Sequence, residues 1–424
     1  MPFIASCFID WYFGRFLAPP YQGRVRKLSL TLLLFVNLGL LAYFKYANFF
    51  LEQVNWFIGK SGMDVIRWDE IALPLGISFF TFHKITYLLD IQRGTSPIQK
   101  KFSEYLVYIF AFPQLIAGPI IRYHDIASQL EARAVTWRDV ERGLFRFIIG
   151  LSKKTLIANQ LAPFADAVFH FSSRGLVSPG QAWLGILCYT LQIYYDFSGY
   201  SDMAIGMGKM LGFDYLENFN RPYLSQSITE FWKRWHISLT NFFRDYLYIP
   251  LGGNRRSRGR TYLNLWIVFL LSGLWHGANW TFLVWGAYHG FFLTLDRLFL
   301  SRWLAKWNSV MRMAGTFLLV SVSWVFFRAN NLTNAIGYLQ TMFGFYTSRN
   351  LMVWSYLGNM TRCALILALL VTFFPSLHGN GKIRNVLVLR QSPVFSWMGC
   401  GVLLLLSLIA LANGAYNPFI YFQF

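Results

Sequence analysis

Charge is scarce in this sequence of 424 residues: 13% are Asp, Glu, Lys or Arg, against 55% hydrophobic residues. A soluble domain carries about a quarter charged residues, so roughly half the usual polar surface is missing. That excludes a chain solvated by water over its whole exterior. Cysteine is scarce too. Cys7, Cys188, Cys363 and Cys400 lie far apart in apolar surroundings with no CxxC spacing. Neither a zinc site nor a disulfide framework is suggested, and all four read as small core residues. No GxxxxGK[ST] loop, HExxH helix or GxSxG elbow occurs, so phosphate-loop ATP hydrolysis, zinc proteolysis and serine-triad esterase chemistry have no support. There is no 20–50-residue repeat and no low-complexity linker. Asp10 and Arg15 interrupt the first apolar stretch, which argues against a cleavable signal peptide.

What the chain has in quantity is uncharged length. No charged residue occurs from Leu28 to Phe44, Tyr105 to Ile121, Thr261 to Leu295 or Gln391 to Phe424. A membrane-crossing helix needs about 20 mostly apolar residues. Further apolar candidates fall at 1–18, 71–90, 145–165, 181–212, 313–327 and 361–378. With a mean hydropathy of +0.39, the expectation is an all-α, polytopic membrane protein. It would have roughly ten embedded segments, some of them re-entrant or broken, in a single domain over 1–424.

The net charge of +19 does not point to nucleic acid. The basic residues sit in short loops between apolar runs: Arg24, Arg26 and Lys27, then Lys153 and Lys154, then Arg255, Arg256, Arg258 and Arg260. That is the positive-inside bias of cytoplasmic loops, not a basic face interleaved with stacking aromatics. Aromatics at 19% suit membrane-interface belts.

Three more polar insertions stand out. The stretch 122–142 reads as a short amphipathic surface helix, and 328–362 as a loop. The stretch 213–260 mixes Glu230, Lys233, Arg234, Arg244 and Asp245 with Trp232, Trp235, Phe242, Phe243 and Tyr246. It is too charged to span easily and too aromatic for an idle loop, so an interfacial or re-entrant element is expected. Ser227 followed by Glu230 places a helix start near Ser227. The basic run that closes this stretch orients the next segment, 261–295. With a start near Thr261, His276 lies roughly 22 Å along the helix, past the middle of a hydrocarbon core about 30 Å thick. Gly273 and Gly277 beside it allow a broken helix lining a cavity.

A histidine at that depth marks a functional site by default. The bland reading is an interhelical hydrogen bond. A neutral imidazole can take the proton of a hydroxyl as it attacks an acyl carbonyl. His236, nearer the cytoplasmic end, could orient a donor, or it could be an interfacial histidine held by its tryptophan neighbours. His289 reads as a packing residue, and His83, His124, His170 and His378 as structural or loop residues. Asp196 and Asp202 interrupt an otherwise apolar run, and ion pairing with Arg221, Lys233 or Arg234 is expected. At this point a membrane enzyme and a transporter both remain open.

Six stretches resemble the membrane-bound O-acyltransferase family, in its alginate O-acetyltransferase subunit I-like branch. They are PLGISFFTFHKITYLLD (74–90), FPQLIAGPIIRY (112–123), YYDFSGYSDMAIGMGKMLGF (194–213), ENFNRPY (217–223), EFWKRWHISLTNFFRDYLYIPLGGNR (230–255) and LLSGLWHGANWTFLVWGAYHG (270–290), with a terminal NPFIYFQF. The resemblance implies a helical membrane bundle around a central funnel, with His276 as the catalytic residue and His236 as the second signature histidine. Asn241, Arg244, Asp245, Trp275 and Asn279 fall in the same blocks as candidate funnel-lining residues. It further implies the bacterial inner membrane, no bound cofactor or metal, and acetyl-CoA as cytoplasmic donor. A periplasmic SGNH-type acetyltransferase partner and other polysaccharide-pathway proteins would carry acetyl to an exopolysaccharide or cell-envelope glycan, with no nucleic acid involved. The sister branch that D-alanylates teichoic acids shares the ENFNRP and RWHISL stretches and is the alternative, beside transport of an acylated carrier without bond chemistry. Relatives begin with one or two apolar stretches ahead of the part matching Met1–Ala18, so a truncated, misassigned or short start is expected here.

Overall fold

The computed structural model of the chain describes residues 2–345, 352–374 and 393–413. His378 and the terminal NPFIYFQF lie outside them. Among the described residues every regular element is helical. The first part comprises α1 (Pro2–Phe13), α2 (Gly23–Lys60), α3 (Ile77–Arg93), α4 (Phe102–Phe110), α5 (Tyr123–Glu131), α6 (Trp137–Ser152), α7 (Asn159–Ser172) and α8 (Pro179–Met210). After them come the short α9 (Ile228–Arg234) and α10 (Ile237–Phe243), then the pair α11 (Arg258–His276) and α12 (Trp280–Leu295). The chain continues through α13 (Ser301–Leu304), α14 (Ser309–Arg328), α15 (Leu332–Met342), α16 (Asn359–Phe373) and α17 (Pro393–Ala412).

Among the described residues three helices are long and apolar enough to cross a membrane by length and composition: Gly23–Lys60, Ser309–Arg328 and Val394–Ala412. This is fewer than the ten segments expected from sequence. Several of the apolar runs are divided. The run 105–121 yields only the end of α4 and then irregular chain, and 261–295 is split between α11 and α12. Others, such as α8, carry buried charge. Two polar regions also differ from expectation. The stretch 122–142 is broken at Ala132–Thr136, where the Thr136 side chain caps Asp139 N and starts α6 afresh. The stretch 328–362 contains α15, started by Asn331 capping Asn334 N at 2.8 Å. Cys7, Cys188 and Cys400 are buried as expected, whereas Cys363 is exposed.

The 38 residues of α2 span about 57 Å, longer than a hydrocarbon core of about 30 Å. Its far end is clamped to the returning chain by two asparagines seven residues apart. Asn55 exchanges hydrogen bonds with the backbone of Ile66 (2.8 and 3.0 Å), and Asn48 with that of Ile71 (2.9 and 3.1 Å). These clamps deliver the segment from Pro74 to Ser78 beside the end of α11. Gly76 turns it with φ 75°, where a Cβ would meet the Leu115 carbonyl at 2.5 Å. At the other end of α2, Arg26 donates to the Gln92 carbonyl at the close of α3, so α2 and α3 run antiparallel.

Glycine sets the closest helix crossings. On α6, Gly143 and Gly150 face Gly206 and Gly199 of α8. A Cβ on Gly150 would stand 2.5 Å from the Gly199 carbonyl, and one on Gly143 at the same distance from that of Gly206. Small residues let helices approach where apolar burial drives little association. Ion pairs then lock the crossing. Asp196 pairs with Lys154 (2.5 Å), and Asp202 with Arg146 (2.5 Å) and Lys153 (2.6 Å). These partners come from α6 and the wide turn after it. Arg234 is paired with Glu230 at 2.7 Å.

Changing Gly150 to Leu should abolish folded monomer in fluorescence-detected size exclusion, because overpacking costs about 1–3 kcal/mol even where neighbours yield, and here the neighbour is backbone. Gly39→Ala on α2, where nothing lies within 4 Å, should leave the profile unchanged and raise stability by about 0.5–1 kcal/mol.

Candidate active site

His276 owes its position to a helix hairpin that breaks beside it. Gly273 of α11 lies against Gly286 of α12, and a Cβ on either would collide with the backbone carbonyl of Phe282 or Phe269. After His276, Gly277 turns extended (φ −164°, ψ 149°). Asn279 then caps α12, accepting from Thr281 N at 3.0 Å and donating to the Asn330 carbonyl at 2.9 Å. His276 is buried, its ring 4.9 Å from Trp275, 5.1 Å from Trp285 and 5.1 Å from Phe327 between centroids. Asn279 thus holds the break.

Lys45 of α2 completes this end. Its Nζ donates to the Trp275 carbonyl, to Ser78 Oγ at 3.2 Å and to the His276 carbonyl at 3.5 Å. Tyr46 Oη donates to the Leu274 carbonyl at 2.9 Å. The last carbonyls of a helix have no partner within it and carry its negative end, so a cation from a neighbouring helix suits them. Lys45, Ser78, Trp275 and His276, with Pro74 and Phe79, line a cavity of about 180 Å³.

His236 has its ring 6.3 Å from that of Trp275 between centroids. Its backbone is left-handed (φ 43°, ψ 55°), which costs a non-glycine residue roughly 1–2 kcal/mol. Two backbone bonds hold it there, Asn220 N to the Arg234 carbonyl (2.8 Å) and Ile237 N to the Asn218 carbonyl (2.9 Å). Asn218 also fixes the ring. Its Oδ1 accepts from the Ser238 N–H at 3.3 Å and Ser238 Oγ at 2.9 Å, so at 3.1 Å the His236 Nδ1 must donate to it. The neutral ring then keeps its lone pair on Nε2. That atom is buried with no hydrogen-bond partner among the described residues, and His236 lines neither the His276 cavity nor the one beside Asp245.

His289 is satisfied at both nitrogens. Nδ1 accepts from Trp232 Nε1 at 3.3 Å, and Nε2 meets Ser323 Oγ at 3.1 Å, whose hydroxyl is given to the Val320 carbonyl. It packs helices, as its sequence setting suggested.

The remaining candidates lie elsewhere. Arg244 and Asp245 pair at 2.7 Å, and Asp245 also accepts from Arg122 at 2.7 Å. Asp245 lines a second cavity of about 750 Å³ with Asp90, Arg93, His124, Tyr246 and Pro250. There the Asp90 carboxylate accepts from His124 Nδ1 (2.9 Å) and Tyr246 Oη (2.7 Å). Asn241 is half-buried on α10 and lines neither cavity. A column of rings stands between the two cavities: Trp275 on Phe82 (5.2 Å), Phe82 on Phe242 (4.0 Å), Phe242 against Tyr246 (5.2 Å). So the structure unites His276, Trp275 and His236, puts Asp245 in a separate chamber, and uses Asn279 as a cap.

Residues 24–340 match the MBOAT, membrane-bound O-acyltransferase family. This chain belongs to that family. A probable alginate O-acetylase of Azotobacter vinelandii is 49% identical over 316 residues, which is 74% of this chain and 63% of the relative. One from Pseudomonas putida is 42% identical over 405 residues, 92% of this chain and 83% of the relative. A peptidoglycan O-acetyltransferase of Helicobacter pylori is 40% identical over 372 residues, 80% and 69% of the two chains. The chain thus spans from about two thirds to about four fifths of the length of these relatives. In this membrane-bound O-acyltransferase family member, His236 of the quoted RWHISL stretch meets Trp275 of the WHGANW stretch, 6.3 Å between ring centroids.

Asn218 and Lys45 were not singled out by sequence reasoning. Asn218 sits inside the ENFNRPY stretch, and Lys45 directly follows the uncharged run 28–44. An isolated cation in apolar surroundings is itself a signal.

Asn218→Ala leaves the Ser238 and His236 donors without an acceptor and should cost about 1–3 kcal/mol, read as a lower melting temperature in detergent. Lys45→Met should loosen the end of α11. Carbethoxylation of His276, followed by mass spectrometry, should then accelerate relative to exposed His170, and an unchanged ratio would remove Lys45 from this role.

Proposed function

We propose that the protein is a multi-pass inner-membrane O-acetyltransferase that takes acetyl from cytoplasmic acetyl-CoA and delivers it to the far side for O-acetylation of a cell-envelope polysaccharide. The observation that carries this reading is the arrangement of two cavities at opposite ends of one aromatic column. The larger lies near Arg93 and Pro250, close to the basic Arg255–Arg260 run, the end that positive-inside bias puts in the cytoplasm. The smaller contains His276, which lies 18 residues beyond Arg258 along α11, about 27 Å. The alginate and peptidoglycan acetylases among the relatives support an envelope polysaccharide as the final acceptor.

In the reaction, His276 takes the proton of an acceptor hydroxyl while its oxygen attacks the acetyl carbonyl carbon of the thioester. The new C–O bond forms, the C–S bond breaks, and the proton passes to the departing thiolate. Ester and free thiol are the products, so no oxidant, nucleotide or metal is consumed. His236, with its Nε2 lone pair unused and its ring 6.3 Å from that of Trp275, steers the donor's arrival. The acceptor hydroxyl belongs to an SGNH-type periplasmic partner or to the glycan itself.

The test is transfer by the purified protein in proteoliposomes, with labelled acetyl-CoA outside and a periplasmic partner inside. His276→Ala should lower transfer about 10²–10⁴-fold, the contribution of a general base, without changing the size-exclusion profile. Full activity in that variant would remove His276 from the chemistry. Label that moves only from a D-alanyl carrier would favour teichoic acid D-alanylation, and movement of an intact acylated carrier would favour transport.

A further inference from the structure

The hairpin of α11 and α12 carries a second feature, at the end away from His276. Its uncharged run, Thr261–Leu295, is bounded by Arg260 and Asp296, with Arg258 just before it and Arg297 just after. Because the two helices are antiparallel neighbours, both arginines arrive at the same level, where apolar chain gives way to charged chain. Beyond α12 a wide helical turn over Asp296–Leu300 leads into α13 and adds Arg302.

Arg258, Arg297 and Arg302 converge on a cavity of about 340 Å³ whose other walls are Thr261, Tyr262 and Leu298. None of the three guanidinium groups forms an ion pair among the described residues. The adjacent carboxylate, Asp296, is turned inward, where it accepts from the backbone N–H and hydroxyl of Thr229, both at 2.9 Å. Among the described residues Arg297 donates only to the Tyr248 hydroxyl, at 3.5 Å. Three like charges held around one concavity repel, and guanidinium forks are suited to phosphate oxygens. Immediately beside them, Leu263, Leu298, Phe299 and Trp303 are exposed. Cations and exposed apolar side chains at one level match a molecule with a phosphate and a hydrocarbon tail.

We propose that this pocket binds the phosphate of an anionic phospholipid headgroup in the cytoplasmic leaflet, its acyl chains lying along Leu263, Leu298, Phe299 and Trp303. Basic pockets between membrane helices on the cytoplasmic side are suited to such headgroups. The bound lipid would tie α13 to the start of α11 and so brace the base of the hairpin that carries His276.

Native mass spectrometry of the full chain in neutral detergent tests this, with phosphatidylglycerol, phosphatidylcholine or inorganic phosphate as the added probe. Wild type should retain phosphatidylglycerol in preference to phosphatidylcholine. The triple variant R258Q/R297Q/R302Q should bind it on the order of 100-fold more weakly, as expected for the loss of three near-surface arginines. A control variant, K60Q/R67Q/R174Q, removes the same charge elsewhere and should bind as wild type does. Equal retention by wild type and the pocket variant would overturn the proposal. So would equal retention of the two lipids, or inorganic phosphate displacing phosphatidylglycerol at stoichiometric amounts, which would make the occupant a soluble phosphate. Should the triple variant fail to give folded monomer, the single variant R302Q, on the exposed α13, decides by the same titration. None of these readouts depends on acetyl transfer.

Discussion

Everything at the candidate active site depends on a helix hairpin that stops one residue after a histidine. The α11–α12 pair is drawn together by glycine against glycine, at Gly273 and Gly286. At the top of that contact the chain leaves helical geometry at Gly277, and α11 ends with carbonyls that no intrahelical N–H can reach. In water those groups would be solvated. Among buried apolar side chains they need a protein donor, and Lys45 and Tyr46 of α2 supply it to Leu274, Trp275 and His276. The cation that satisfies the backbone is also the cation beside the imidazole, so one constraint creates both the break and its electrostatic setting.

The second histidine is fixed by a different route. His236 sits in a left-handed backbone between two very short helices, a geometry bought with strain and held by the hydrogen bonds of Asn218 and Asn220. Strained residues persist when the surroundings over-determine them, and they cluster at functional sites. Here the over-determination also selects the tautomer, because a backbone N–H on the same Asn218 oxygen leaves the ring nitrogen no option but to donate. Both histidine rings meet Trp275, His276 at 4.9 Å and His236 at 6.3 Å between centroids.

Much of this was legible in the sequence. Uncharged runs gave an all-helical membrane protein, the glycines around His276 gave the broken helix, and Ser227 and Glu230 gave the start of α9, where Ser227 caps Glu230 N at 3.1 Å. The six matching stretches gave the family. What stayed hidden depends on which distant side chains meet. Nothing in the sequence says that Lys45 reaches residues more than two hundred positions away, or that Asp196 and Asp202 find Lys154, Arg146 and Lys153. Roughly ten embedded segments were expected, and among the described residues three helices are long and apolar enough to cross by length and composition; hydropathy does not distinguish a crossing helix from apolar chain buried inside the bundle, as in the run after α4. Asp245 and Asn279 shared a block with the histidines but were separated from the site by the turn of the chain, one into another chamber and one into a cap.

The claim on which the account rests is that the two cavities open to opposite faces of the membrane, with His276 reached from the side away from the Arg255–Arg260 run. Ser78 lines the His276 cavity and Arg93 the other. Single cysteines at these positions, in a variant whose four native cysteines are replaced, can be challenged with a membrane-impermeant thiol reagent in oriented vesicles. The account predicts labelling of Ser78→Cys only from the extracytoplasmic side and of Arg93→Cys only from the cytoplasmic side. Labelling of both from the same side would contradict it.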